Sequence, residues 1–323
     1  MTRALLRNLV LMAWTLLAVA ACNASGGPSA SSGGTGGTGV SYGPVTGFGS
    51  VFVNGVEFDT TNSTVTLNGI LDPGTDPHRG LMVGMVVKVD GTFDSNGTTG
   101  TATGITYKDN LRGPVSSITS IGTGILKVVA LGQNVIIDGQ TVFVGTTFAT
   151  LALSNVIEVS GLPDNNGDIH ATFVELKANS FVPGMEIGVK GAIQNLDPIL
   201  KTFQINALTV DYSLANLQTG VPANGQFVEV KGTNLAGVVL IADSVALDDN
   251  SLGVTDASVA QMQGFVTAIT SPSQFTVGIQ QVQTTASTIF EGGTAGDVAL
   301  GKKMEVDGAL AGGVLTATKI AFR

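Results

Sequence analysis

The sequence predicts an all-β protein in which four small, tandem β-barrel modules follow a signal peptide and a flexible linker. The 323 residues include 44 Gly and only 12% charged residues, which favours many turns over long helices. One set of short motifs recurs four times in the same order. Within each repeat, alternating apolar and polar stretches are separated by turn dipeptides, a pattern typical of half-buried strands.

Residues 1–21 have the composition of a secretory signal peptide. Arg3 and Arg7 supply the positive start, and an uncharged, mostly apolar run follows from Leu9 to Ala21. This run of 13 residues is shorter than the ~20 residues that a bilayer-spanning helix needs. The segment is therefore predicted to be a cleaved signal rather than a membrane helix.

The end of this segment resembles a bacterial lipoprotein signal. Val19, Ala20 and Ala21 directly precede Cys22, the only cysteine of the chain. The resemblance implies cleavage before Cys22 and attachment of lipid to its sulfur, with Asn23 in the next position directing the protein to the outer membrane of a Gram-negative bacterium. The predicted membrane partner is thus bound through a lipid anchor, and the side of the membrane, periplasmic or surface, stays open.

Residues 22–42 are rich in Gly, Ser and Thr, and we expect them to form a flexible tether. Residues 34–39 match Gly-x-Gly-x-x-Gly, but no strand is predicted before them and no helix after them, so a dinucleotide site is not indicated. Without residues 1–21 the chain has 13 basic and 24 acidic residues, a net charge of −11. Nucleic acid is therefore not an expected partner.

The four repeats are defined by two motifs and a closing pattern. A Gly-x-apolar-x-x-apolar start is followed by apolar-charged-Val-x-Gly, whose Gly lies 41–48 residues after the start Gly, and then by Ala-x-x-apolar. The starts lie at Gly43, Gly113, Gly191 and Gly264, spaced by 70, 78 and 73 residues. The predicted modules are residues 43–108, 112–177, 189–248 and 262–323.

The start motif also predicts a bend. Its two apolar positions have opposite parity, so one regular strand would point them to opposite faces, and a bulge or bend is expected between them. A bent first strand, a meander and a closing hairpin predict five strands rolled into an OB-like barrel. A β-sandwich made from the same strands is the alternative. Modules this small bury little surface alone, so contacts between them are expected to contribute stability.

These motifs resemble a bacterial domain of unknown function, number 5666, which is found repeated in envelope lipoproteins. The resemblance covers about residues 43–322 and implies OB-like architecture. It implies no catalytic residue, cofactor or ligand.

One loop offers candidate metal ligands. Asp164, Asn166 and Asp168 have a spacing that could present oxygen atoms to Ca²⁺, although the Gly is misplaced and no bidentate Glu closes the loop. A polar hairpin tip is the favoured interpretation.

A polar stripe is the other candidate feature. Alternation in the apolar-charged-Val-x-Gly strand predicts polar side chains on the outer, solvent-facing side of each barrel. They are Lys88, Asp90, Glu158, Ser160, Glu229, Lys231, Glu305 and Asp307.

No catalytic constellation is present in the sequence. If Cys22 is lipidated, the chain has no Cys/His pair for nucleophilic catalysis. We therefore expect a non-catalytic envelope lipoprotein without a cofactor, used for binding or assembly with envelope polysaccharide or protein. A purely structural spacer is the alternative, and a glycan-active enzyme is a third, weaker one.

Overall fold

The computed structural model describes residues 37–72, 74, 78–248 and 252–323. This part of the chain is all-β apart from one turn of 3₁₀-helix at Ala295–Asp297. Among these residues, no helix is both long enough and apolar enough to cross a bilayer. The predicted cleavage and lipidation residues, Val19, Ala20, Ala21 and Cys22, lie outside the described residues.

The described strands fall into four groups in chain order. Module 1 contains β1 Gly37–Phe48, β2 Val51–Val53, β3 Val56–Asp59, β4 Thr64–Leu67, β5 Ile70–Leu71, β6 Val86–Phe93 and β7 Thr99–Tyr107. Module 2 contains β8 Leu111–Gly122, β9 Ile125–Ala130, β10 Gln133–Ile137, β11 Val142–Val144, β12 Val156–Pro163 and β13 Ile169–Ala178. Module 3 contains β14 Ile187–Ala192, β15 Gln194–Asp197, β16 Thr202–Ile205, β17 Leu208–Asp211, β18 Asn216–Leu217, β19 Phe227–Gly232, β20 Asn234–Ala236, β21 Val239–Ile241 and β22 Ser244–Leu247. Module 4 contains β23 Ala257–Ser271, β24 Gln274–Val277, β25 Gln280–Glu291, β26 Lys303–Ala311 and β27 Val314–Phe322.

Each module closes a five-stranded barrel in the same order. In module 1, β1, β2 and β3 form an antiparallel meander, β3 runs parallel to β7, and β6 pairs with both β7 and β1. Modules 2 and 4 repeat this ring with β8-β9-β10-β13-β12 and β23-β24-β25-β27-β26. A closed ring in the order first, second, third, fifth, fourth strand is the predicted OB-like barrel and not a sandwich.

Module 3 has the same order but its long strands are broken. Its first strand is split into β14 and β15, its fourth into β19 and β20, and its fifth into β21 and β22. Pairing therefore divides between two sheets, with β14-β19-β22 in one and β15-β16-β17-β21-β20 in the other.

The predicted bend in the first strand is confirmed in all four modules. The strand register shifts after Val45, Val115 and Val266, and in module 3 the strand is interrupted at Ile193. The Gly that opens the motif leaves room for a side chain from the hairpin that follows. A Cβ atom on this Gly would lie 2.3–2.8 Å from the side chain of Asn54, Leu131, Ile205 or Val277.

The second repeated Gly has a different role, in the fourth strand of the barrel. Here the fourth and fifth strands approach so closely that a Cβ atom would meet a carbonyl oxygen of the fifth strand at 2.1–2.3 Å. In three modules the register shifts at this Gly, and in module 3 the strand breaks just after it. The positions are Gly91, Gly161, Gly232 and Gly308. A side chain here would force the barrel open.

The modules associate in a way that the repeat pattern does not predict. The first strands of modules 1 and 4 run parallel, with Gly39 opposite Val259 and Tyr42 opposite Met262. The first strands of modules 2 and 3 pair antiparallel, with Val189 opposite Leu111. The chain therefore folds back, so that its first and last modules share a sheet.

Three predicted boundaries need correction. We placed residues 37–42 in the tether, but they form the first half of β1, paired with β6 on one side and β23 on the other. Gly-rich composition suggests flexibility, whereas here the small residues permit two strands to flank β1 closely: a Cβ on Gly39 would lie 2.4 Å from the Val259 carbonyl oxygen. Similarly, strands already begin at Ile187 in module 3 and at Ala257 in module 4.

The hydrophobic cores merge across module boundaries. One continuous cluster of buried side chains covers modules 2 and 3. The core of module 1 includes Phe173 from module 2, and that of module 4 includes Val40 from module 1. A fourth, small cluster joins Val86, Leu162 and Phe265 from modules 1, 2 and 4. A small module alone buries little apolar surface. The shared cores supply additional apolar contacts at the interfaces between modules.

Candidate functional site

The predicted Ca²⁺ loop is the tip of the β12–β13 hairpin. Asp164 Oδ1 accepts hydrogen bonds from the backbone N–H groups of Asn166 (2.8 Å) and Asp168 (3.1 Å). Asp164 Oδ2 lies 3.3 Å from His170 Nε2, and Asp168 Oδ1 accepts a bond from Asn134 at 2.7 Å. These carboxylates thus stabilise the turn itself, as in a polar hairpin tip. Within the described residues, no three His, Cys, Asp or Glu side chains are grouped so that they could hold a metal ion.

The same hairpin tip borders a pocket of about 420 Å³ where modules 2, 3 and 4 meet. We call it the junction pocket. Its wall includes Leu162 and Asn166 of module 2, Phe227 of module 3 and Met262 of module 4, and Tyr42 of module 1 closes one side. The pocket exists only because the modules fold back on one another, so repeat motifs alone do not locate it.

Amide side chains dominate the polar lining of the junction pocket. They are Asn110, Gln133, Asn165, Asn166, Gln194, Asn206 and Gln263. Gln133 is 1% exposed and holds modules 2 and 3 together: it donates to the carbonyl oxygens of Leu131 (3.0 Å) and Ile205 (2.9 Å) and accepts from Asn206 at 2.7 Å. Gln133 is therefore held rigidly by its hydrogen bonds, and the other amides of the lining surround it.

One buried cation reaches the pocket. The Lys190 side chain is 5% exposed and its ammonium lies 3.1 Å from Asp248 Oδ2. Burial lowers the pKa of Lys190, and the nearby Asp248 opposes that shift. Tyr42 lies in the same surroundings, and burial, with a smaller contribution from the Asp248 charge, raises its pKa to about 12.

The polar stripe is not on the solvent-facing side, and this prediction is wrong for its central members. Ser160 is fully buried, Glu158 is 3% exposed and Glu305 is 8% exposed. Alternation correctly directs these side chains out of their barrel, but a neighbouring module or the chain terminus covers that face. Ser160, for example, accepts a hydrogen bond from the backbone N–H of Val86 in module 1 at 2.9 Å.

Glu158 is the centre of an ion-pair network between modules 1, 2 and 3. Its carboxylate accepts hydrogen bonds from Arg112 (2.6 Å) and from the Tyr107 hydroxyl (2.8 Å). Arg112 also lies 3.4 Å from Asp109 and 3.1 Å from Glu186. Burial, followed by the Glu158 charge, raises the pKa of Tyr107 well above its usual value.

Asp109 is the most perturbed carboxyl of this network. Its side chain is 14% exposed. Burial and then the Glu158 charge raise its pKa from 3.8 to about 7, against the opposing effects of Arg112 and Lys190. Asn68 of module 1 fixes it from two directions, by donating to Asp109 Oδ2 (3.2 Å) and accepting from the Asp109 backbone N–H (2.8 Å).

A second, larger depression of about 850 Å³ adjoins this network. Its charged lining consists of Lys108, Arg112, Lys177, Lys231, Glu158, Glu175, Glu186 and Glu229. The basic and acidic groups pair with one another, as in Lys177 with Glu175 (3.2 Å) and Lys231 with Glu229 (3.3 Å). We call this surface the ion-pair cleft. The charged groups of this cleft bind one another, whereas the polar lining of the junction pocket consists mainly of neutral amides.

Comparison with known proteins identifies the repeats. A family described as "Domain of unknown function (DUF5666)" matches residues 42–106, 112–175, 183–246 and 263–321. The chain belongs to this DUF5666 family. The third match begins at 183, ahead of the predicted boundary at 189, while the other boundaries agree within two residues.

Other comparisons add little to this DUF5666 chain. No curated protein matches it. Among solved structures, one of "drosophila Unr CSD456" is 16% identical, and the alignment covers 66% of this chain and 96% of that one. The TM-score of this alignment is 0.18.

Proposed function

We propose that this DUF5666 chain is a non-catalytic, lipid-anchored outer-membrane protein that binds an envelope component in the junction pocket. The observation that carries the proposal is the pocket itself, which residues of all four modules line at the point where modules 2, 3 and 4 meet. Its volume of about 420 Å³ lies within the range of small-molecule sites, which is roughly 300–1,000 Å³. Ligand sites commonly occur at such interfaces between domains.

The arrangement of the modules supports binding over a structural spacer. A spacer gains reach when successive modules extend along a line. Here β1 of module 1 pairs with β23 of module 4, so the beginning and the end of the repeat array are adjacent. The folded-back arrangement is therefore shorter than a linear array of modules, and it forms a pocket between them.

The chemistry of the pocket supports binding without catalysis. Its two charged side chains are Lys190, whose ammonium lies 3.1 Å from Asp248 Oδ2, and Asp164, whose Oδ2 lies 3.3 Å from His170 Nε2. Asp164 is further occupied by two backbone N–H groups. Side chains held by these contacts stabilise the pocket wall, and they are poorly placed to exchange protons with a substrate.

The anchor is tested by fractionation. Wild type should sediment with outer membranes and Cys22→Ser should be recovered in the soluble periplasmic fraction. Sedimentation of the Cys22→Ser protein with outer membranes would contradict the lipid anchor.

Binding is tested with the chain lacking residues 1–22, immobilised and exposed separately to purified envelope polysaccharide and to detergent-solubilised outer-membrane proteins. Gln194→Trp places a large ring at an exposed position of the pocket wall and should abolish retention. Gln140→Trp, at an exposed position outside the pocket, is the matched control and should retain as wild type does. Equal retention by both variants would refute the pocket as the binding site.

A further inference from the structure

We infer that the junction pocket binds a neutral oligosaccharide, a deepening of the proposed function on which it rests. A sugar hydroxyl is both a hydrogen-bond donor and an acceptor, and the amide groups of Asn and Gln offer both functions from one side chain. The side chains of Gln194 and Gln263 make no hydrogen bond to the described part of the chain, so both are available to a ligand. The lining thus has the chemistry that sugar hydroxyls require.

Two further amides are half used, and in complementary ways. Asn110 accepts a hydrogen bond from the Gly161 N–H through Oδ1 at 2.8 Å, which fixes the side chain and leaves Nδ2 as a donor. Asn206 donates through Nδ2 to Gln133, which leaves Oδ1 as an acceptor. Because each amide is anchored by its other atom, little side-chain entropy is lost when it binds a ligand.

The charges of the pocket disfavour an ionic ligand. The Lys190 ammonium is 3.1 Å from Asp248, and the Asp164 carboxylate is bonded to two backbone N–H groups and lies 3.3 Å from His170. An anionic or cationic ligand would have to displace one of these partners or enter without a counter-charge, and either carries a desolvation cost. A neutral, polyhydroxylated ligand incurs neither cost.

Apolar surface completes the match to a sugar. Tyr42 and Phe227 are half-buried residues of the pocket wall, and the exposed Ile279 belongs to the same lining. The C–H faces of pyranose rings are apolar and pack against such side chains. In the ion-pair cleft, by contrast, most of the polar side chains are charged, and the acidic and basic groups bind each other.

The decisive experiment is calorimetric titration of the chain lacking residues 1–22 with defined sugars. The probes are neutral hexose and N-acetylhexosamine oligomers of two to six units and uronate oligomers of equal length. Neutral oligomers should bind, and Gln263→Ala should weaken their binding by about fivefold, the equivalent of one hydrogen bond of about 1 kcal/mol. Gln140→Ala, the matched control, should bind as wild type does.

The remaining outcomes separate this inference from the proposed function. Tighter binding of uronate than of neutral oligomers, or equal losses in Gln263→Ala and Gln140→Ala, would overturn the neutral-sugar site. Failure of all sugars, with envelope proteins retained by wild type and lost in Gln194→Trp, would overturn the ligand class while the binding function stands. Failure of sugars together with no retention of any envelope component would overturn both.

Discussion

Asp109 should make the stability of the protein depend on pH in an unusual direction. Burial raises its pKa from 3.8 to about 7, so the folded chain holds this proton more tightly than the unfolded chain does. Between about pH 4 and pH 7 the folded state binds the extra proton, and the free energy of unfolding therefore falls as pH rises. Acidic groups with a lowered pKa, such as the exposed Asp59, act in the opposite sense.

The size of the effect follows from the shift. A difference of about three pH units corresponds to about 4 kcal/mol at 1.36 kcal/mol per unit, lost at a slope of roughly 1.4 kcal/mol per pH unit. Asp109→Asn is neutral at every pH, and its carbonyl oxygen can still accept the bond from Asn68. The variant should match wild type in pH response below about pH 4 and gain on it steadily up to about pH 7.

The assay is urea unfolding followed by far-UV circular dichroism at several values between pH 4 and pH 8. The readout is the difference between wild type and variant as a function of pH, because a constant offset reflects the amide substitution alone. Asp256→Asn, at an exposed aspartate in module 4, serves as the control and should leave the profile unchanged. Parallel profiles for wild type and Asp109→Asn would refute the assignment of a raised pKa to Asp109.

Two further predictions concern the interfaces between modules. Gly39→Val should lower the unfolding free energy by about 1–3 kcal/mol, because its Cβ would lie 2.4 Å from the Val259 carbonyl oxygen. Gly47→Ala, whose Cβ has a nearest contact of 3.7 Å, should be nearly neutral. The same loss in both variants would contradict the close pairing of β1 with β23. Phe173→Ala should cost about 3–5 kcal/mol in denaturant unfolding, since this fully buried ring of module 2 packs in the core of module 1, and a loss below about 1 kcal/mol would argue against the shared core.

The barrels were predictable because their rules are local. The apolar spacing of the start motif required a bend, and the register shift after Val45 and its equivalents confirms it. The Gly of the fourth strand was visible as a repeated position, and the close approach of the fifth strand explains it. Such features depend only on residues within one module, so their recurrence in four copies strengthens the prediction.

The candidate site was largely unpredictable because it lies between modules. Alternation shows that Glu158 leaves its own barrel, but it cannot tell water from a neighbouring module, and the side chain is 3% exposed. Asp164 was noticed for its oxygen atoms, and it borders the pocket through turn geometry instead. Charged residues directly precede two of the four start motifs, Arg112 before Gly113 and Lys190 before Gly191. Both side chains form ion pairs with buried carboxylates, so this position is the signal that could have pointed to the covered faces.

The pairing of β1 with β23 sets the order in which the protein can be completed. It includes a hydrogen bond from the Ser258 hydroxyl to the Thr38 carbonyl oxygen, two residues 220 positions apart in the chain. Because synthesis proceeds from the amino terminus, β1 presents an unpaired edge on this side until module 4 has been made. Contacts of such long range form slowly, so the final closure of the body, and of the pocket within it, belongs to the last stage of folding.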